Sequence, residues 1–334
     1  MHKHFILIAL LSVATRFILL SHPNAVVFDE VYFGKFNNYY VCSKQRFLDI
    51  HPPHTKLLIA AVTKILGYSC VTKFEKIGDI ISHRDALALR FVPALVGTLL
   101  PLVIFVLLLQ LGASQSGAFL GGLALVFDNA LTTQSRVISL DGMLLLSIFS
   151  SISVFLVALR THLYLRRMWL GYLTGVLLGF AIGTKFTGGA AAVVLGVMWL
   201  IATIRSKNKF EVLEYCVLGL RILAAAAVIY VVGWRIHFWI LTEPGPGDPW
   251  NVFSGNFIYD TVQTHVRMLT ANYNISGLHK YGSRWWSWPL ILKPIFYYSH
   301  ERNKIYLIGN VVLWWSTFFA LVVAFWLACL SKLR

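Results

Sequence analysis

FDEVYFGKFNNYYVCSKQRFLDIHPPHTKLL, residues 28–58, follows one apolar run and precedes the next, and it is too polar to extend either. It opens on two adjacent acids, Asp29 and Glu30, continues through a run of aromatics, and ends on His51-Pro52-Pro53-His54-Thr55-Lys56. A simple connector does not need paired carboxylates, two imidazoles and a lysine. Ionisable groups beside a membrane span are a functional-site hypothesis by default. The fold therefore turns on whether the flanking apolar runs are spans.

They have that character. The chain has 334 residues, 57% hydrophobic and only 13% charged, where soluble domains carry about 25% charge. Eight apolar runs, at about 4–20, 91–111, 114–132, 141–160, 168–184, 187–204, 215–241 and 304–330, approach the ~20 residues that cross a ~30 Å hydrocarbon core. The first, MHKHFILIALLSVATRFILL, lacks a small-x-small cleavage site and reads as a retained signal anchor. The expectation is an all-α polytopic membrane protein in a single unit over 1–334. A net charge of +15 spread over loops and span ends points to anionic lipid headgroups or a phosphate-bearing substrate, not nucleic acid.

With a cytosolic N-terminus, Arg160, Arg166, Arg167, Arg205, Lys207, Lys209, Lys332 and Arg334 all fall on the cytosolic side, as the positive-inside rule requires. The two long segments, 21–90 and 242–303, then lie on the outer side. Within the first, residues 54–67 read as a short amphipathic helix in the interface. The second carries a PGPGDP turn at 244–249 and the cluster Trp285, Trp286, Trp288, suited to an aromatic belt. Cys42 and Cys70 share the first outer segment, where an oxidising compartment would permit a disulfide. Asn274-Ile275-Ser276 is an N-glycosylation acceptor on the same side.

Arg16, Arg90, Asp128, Arg136, Asp141, Lys185, Arg235 and His237 sit inside or at the ends of spans, all toward the face that carries Asp29 and Glu30. Snorkelling explains a lone Lys or Arg, but it does not explain the acids. A polar cavity with cations for a phosphate and a carboxylate as general base explains the set. Adjacent side chains diverge, so one acid of the pair serves chemistry and the other structure. His51 and His54 are three apart, yet Pro52-Pro53 separates them from a shared helical face, so no metal site is expected. An anion or lipid-phosphate transporter is the alternative; against it, no inverted repeat is visible.

The motifs FDEVYFGKF (28–36), DIHPPHTKLLIA (49–60), LRFVPALVGTLLP (89–101), FDNALTTQSRVISLDGMLL (127–145), AIGTKFTGG (181–189), GSRWWSWPLILKP (282–294) and IYLIGNVVLWW (305–315) resemble, in order and across nearly the whole chain, the protein O-mannosyltransferases of the GT-C membrane glycosyltransferase class. The resemblance implies a GT-C fold and transfer of mannose, with inversion, from dolichyl-phosphate mannose to Ser or Thr hydroxyls of secretory polypeptides in the lumen of the endoplasmic reticulum. It implies no nucleotide-sugar cofactor, and pairing with the same or another family member. Carried over, Asp29 is the candidate base and Glu30 its partner. Arg90 and Arg136 are candidates for phosphate binding or for fixing the first luminal loop. Arg16, His51, Lys56, Asp141 and Lys185 complete the expected substrate- and phosphate-binding set.

The chain departs from the family pattern in three ways. Eight spans stand where the family has about eleven. The loop before the last run has no room for the family's MIR trefoil domain. His54 stands where an apolar residue is usual. These departures describe a reduced member, a fragment or an inactive relative, so a non-catalytic partner subunit is the other reading.

Overall fold

A computed structural model describes residues 2–250, 253–274, 282–300 and 303–331. The helices are α1 (His2–Phe17), α2 (Glu30–Asn38), α3 (His54–Ile65), α4 (His83–Gln110), α5 (Gln115–Val126), α6 (Asn129–Gln134), α7 (Asp141–Arg160), α8 (Tyr164–Thr184), α9 (Gly189–Ile204), α10 (Lys209–Ile240), α11 (Phe257–Tyr273) and α12 (Val311–Ser331). The protein is a multi-pass membrane protein, with an apolar helix at each of the eight expected positions. Among the described residues, α4, α7, the stretch Phe186–Ile204, α10 and α12 are long and apolar enough to cross a membrane.

Two expected spans change shape. The run at 114–132 breaks: α5 has 12 residues, about 18 Å of helix. Asp128 ends it by capping α6, accepting from the Leu131 N–H at 2.9 Å. The run at 304–330 begins late. Its first residues form β2 (Asn303–Leu307), which pairs antiparallel with β1 (Ile295–His300), and the helix starts only at Val311. The second outer segment thus contains a hairpin that a purely helical reading does not foresee.

Helix α4 is central, packed by α1, α5 and α7, and the bundle continues through α8 to α10. The α8–α10 contact is set by glycines four residues apart on one face of α8. Gly171, Gly175 and Gly179 lie against Leu218, Ile222 and Ala226 of α10. A Cβ at Gly179 would sit 2.5 Å from the Ala226 carbonyl oxygen. Such close backbone approach is how membrane helices associate where no hydrophobic effect separates helix from lipid. The ladder ends at Gly183, which with Gly233 of α10 makes the slot filled by the His54 ring. Helix α3 is therefore present as expected but does not merely lie in the interface. Its first turn is wedged into the bundle, with His54, Thr55 and Lys56 all buried.

The outer segments form one body. The Arg46 N–H donates to the Glu243 carbonyl, and the Glu243 N–H donates to the Lys44 carbonyl. The Arg46 guanidinium holds Asp248 at 2.7 and 3.1 Å. Cys42 and Cys70 are bonded to one another, tying the turn after α2 to the segment before α4.

Gly179→Val should force α8 from α10 and destabilise the protein by about 1–3 kcal/mol. Gly196, whose Cβ position is open, should accept alanine with little loss. Thermal unfolding in detergent compares the two.

Candidate active site at the outer end of the bundle

The two adjacent acids part at the start of α2. Glu30 is wholly buried (0% exposed) and is held by Arg90, from Nε to Oε1 and from Nη2 to Oε2, each at 2.8 Å. It also accepts the backbone N–H groups of Val27 at 2.9 Å and Ile138 at 3.0 Å. The Arg90 guanidinium places its remaining N–H groups on the carbonyls of Leu20, Pro23 and Ala25. All five donors of an arginine are then committed to this chain. Glu30 and Arg90 are thus committed to one another and to the backbone, and together they fix the first outer loop.

Asp29 is the N-cap residue of α2, yet its side chain makes no capping hydrogen bond. It is open to solvent at the edge of a small cavity lined by Phe28, Asp29, Phe33, His51, Val137, Ile138, Ser139, Asp141, Lys185 and Tyr297. Four residues from distant motifs, Asp29, His51, Asp141 and Lys185, meet there. Lys185, in the turn after α8, donates to Asp141 at the start of α7 at 2.6 Å. Partial burial raises the Asp29 carboxyl above the ordinary carboxylate value; Lys185 pulls it down, and Asp141 and Asp49 add to the rise. Burial lowers His51 to about 4, so its imidazole is neutral at neutral pH.

The other expected residues lie elsewhere. Arg16 is buried and donates to the Val126 and Leu125 carbonyls at 2.6 and 2.9 Å, fastening α1 to the end of α5. Arg136 donates to the carbonyls of Thr15, Arg16 and Leu19 at 3.0–3.1 Å, closing the end of α1. Neither lines the cavity, and these arginines, like Arg90, are engaged by backbone carbonyls. Lys56 is buried, paired with Asp49 and donating to the His51 carbonyl at 2.8 Å. Burial lowers its pKa against the pull of Asp49. Lys56 thus holds the chain that presents His51. His54 points away, its Nε2 2.9 Å from the Ile229 carbonyl, so the two histidines diverge. Asn274 is exposed at the C-cap of α11; the rest of its sequon lies outside the described residues.

Beside α3 runs a larger groove of about 700 Å³, lined mostly by apolar side chains, among them Leu57, Leu58, Ile229, Val232, Ile236 and Trp239. It has room and polarity for an acyl or prenyl chain, but carries none of the carboxylates. Asp29 and Asp141 line the smaller cavity instead.

Sequence reasoning missed Tyr297, Ser139 and Asp49. The signal for Tyr297 was present: two aromatic- and β-branched-rich runs, IFYYS and KIYL, flank the polar stretch HERN, a hairpin pattern.

Comparison with known proteins agrees with this architecture. Residues 6–242 match the profile of the dolichyl-phosphate-mannose-protein mannosyltransferases. Residues 257–334 match that of the C-terminal four-transmembrane region of protein O-mannosyltransferase. The chain is 36% identical over 259 residues to dolichyl-phosphate-mannose–protein mannosyltransferase 4 of Candida albicans, a match covering 72% of this chain and 34% of that protein. It spans about a third of the length of such relatives. Its fold is that of a chain in the Saccharomyces cerevisiae Pmt1–Pmt2 complex bound to the sugar donor, with TM-score 0.89 and 18% identity over 99% of this chain and 76% of that one. The Archaeoglobus fulgidus oligosaccharyltransferase, a second GT-C fold, aligns at TM-score 0.54 and 14% identity over 81% of this chain and 33% of that one.

Arg90→Leu leaves Glu30 charged and unpaired in a dry site and should cost about 3–5 kcal/mol. Asp29→Asn removes no hydrogen bond and should change stability by less than about 0.5 kcal/mol. Unfolding midpoints in detergent separate the structural acid from the available one.

Proposed function

The chain belongs to the dolichyl-phosphate-mannose–protein mannosyltransferase family, and from that premise we propose that it transfers mannose from dolichyl-phosphate mannose to Ser or Thr hydroxyls of polypeptides. The single observation that carries this reading is the uncommitted Asp29 carboxylate in a cavity with Lys185, while its neighbour Glu30 is consumed by Arg90.

In the proposed reaction Asp29 accepts the proton of the acceptor hydroxyl as its oxygen attacks the anomeric carbon of mannose. The bond from that carbon to the phosphate oxygen breaks on the opposite face, which inverts the configuration and releases dolichyl phosphate. Lys185 is the cation at hand for charge developing on the phosphate, since fixed cations stabilise charge that appears in the transition state. The apolar groove beside α3 suits the dolichyl chain. The donor already carries an activated sugar, so the reading asks for neither a nucleotide sugar nor a metal.

The Cys42–Cys70 bond supports an oxidising compartment for the outer face, and the charge bias of the loops supports a cytosolic N-terminus. Both fit the endoplasmic reticulum membrane with a luminal site. Pairing with the same chain or another family member is proposed from the likeness to one chain of a Pmt1–Pmt2 complex and from α12, whose described residues are all unburied. Membrane lipids share that surface.

Transfer of labelled mannose from dolichyl-phosphate mannose to a Ser/Thr peptide, in membranes bearing this chain with and without a second family member, tests the reading. Asp29→Asn should lower the rate ~10²–10⁴-fold. Because the base must be ionised, wild-type activity should fall as pH drops through the Asp29 pKa, with an acid limb above the ~4 of an ordinary aspartate. Undiminished transfer by Asp29→Asn would mean that this chain is a non-catalytic partner.

A further inference from the structure

Tyr297 reaches the cavity from far along the chain and by a local irregularity. In the hairpin, Phe296 pairs with Tyr306 and Tyr298 with Ile305, so Tyr297 is an extra residue in a β-bulge. Bulges re-aim a side chain and are frequent beside active sites. Here the bulge turns two consecutive tyrosines inward: Tyr297 and Tyr298 are each 5% exposed, where a regular strand would alternate. Only Tyr297 lines the cavity that holds Asp29, Asp141 and Lys185.

Its ring lies flat on Phe28, with centroids 4.2 Å apart and planes at 8°. Phe28 directly precedes Asp29 and has φ = +45°, a left-handed backbone that a bulky residue adopts only when its surroundings impose it. The stack is one such restraint. The Glu30 clamp on the Val27 N–H is the other, so the peptide carrying Asp29 is held on both sides.

We infer that Tyr297 is a positioning residue of the transfer site, its ring holding the Phe28–Asp29 backbone in place. The inference deepens the mannosyl-transfer reading and rests on it. The hydroxyl is held by Gln134 and stays protonated, because burial, against that hydrogen bond and with Asp141 and Asp29 adding to the rise, pushes Tyr297 up to about 12. The charged and titratable groups around Asp29 are Lys185 from the turn after α8, Asp141 from α7, Asp49 and His51 from the segment before α3, and Tyr297 from β1.

Three variants test it. Tyr297→Phe keeps the stack and should retain nearly all of the kcat that Tyr297→Leu loses, about 10–100-fold, with KM little changed in both. Tyr298→Phe, in the same core cluster but outside the cavity, should leave kcat unmoved. Tyr297→Leu removes the stack and should speed amide hydrogen exchange over residues 26–33, while Tyr297→Phe should not. Unmoved exchange or unmoved kcat in Tyr297→Leu, or a loss in Tyr297→Phe as large as in Tyr297→Leu, overturns the inference. If the wild type transfers no mannose, the mannosyl-transfer reading fails by itself, and the exchange comparison still decides whether Tyr297 positions Asp29.

Discussion

The buried ion pair between Glu30 and Arg90 is the constraint on which the outer half of this protein depends. Moving two charges out of water costs several kcal/mol each, and the cost is recovered only when every donor and acceptor is matched. Here the matching draws in Leu20, Pro23, Ala25, Val27 and Ile138. One carboxylate and one guanidinium therefore define the path of the loop after α1, the start of α2 and the approach to α7. The pair also decides where Asp29 goes. Neighbouring residues at a helix start project about 100° apart, so turning Glu30 inward turns Asp29 toward the cavity. The orientation of Asp29 toward the cavity is a by-product of the pairing of Glu30.

A similar economy governs the positive charge. Arg16 and Arg136, like Arg90, satisfy carbonyls that would otherwise end unpaired where helices stop near the membrane. Lys56 is spent on Asp49 and the His51 carbonyl, and His51 is neutral at neutral pH. Among the described residues, a chain with a formal charge of +15 thus brings one cation, Lys185, to the cavity lining. That cation is itself balanced by Asp141, which keeps the cavity from becoming a strong anion trap. Under the proposed transfer, release of a lipid phosphate would be better served by such a modest field than by a cluster of arginines.

The fold was legible because apolar length is a strong signal: each of the eight runs contains a helix. Within the site, legibility followed how each residue acts. Asp29, His51, Asp141 and Lys185 belong to dense polar motifs and converge as expected. Arg16, Arg90 and Arg136 looked the same from the sequence, since nothing in a sequence separates an arginine that faces a ligand from one that faces a carbonyl; only the three-dimensional donor count does. His54 was opaque for a related reason. Its slot is made by Gly183 and Gly233, from two different helices, and a glycine's significance lies in what its missing Cβ lets in. Tyr297 lay in the second outer segment, and its inward turn depends on a one-residue bulge in a hairpin that closes only with the first residues of the last apolar run.

The placement of Tyr297 also bears on how the two matched regions of the chain cooperate. Asp29, His51, Asp141 and Lys185 fall within residues 6–242 and Tyr297 within 257–334, so the cavity is complete only when the second outer segment returns to the bundle. Asp128 is the anchor for that return. It ends α5, caps α6, and accepts from the Asn310 N–H at 3.0 Å and from the Trp314 indole at 2.8 Å. The same carboxylate that shortens one apolar helix therefore fixes the start of another, and the hairpin is held between that anchor and the Phe28 stack. A full-length span at 114–132 would carry no such polar break at this depth. The broken helix is thus the means by which a segment remote in sequence is brought to Asp29.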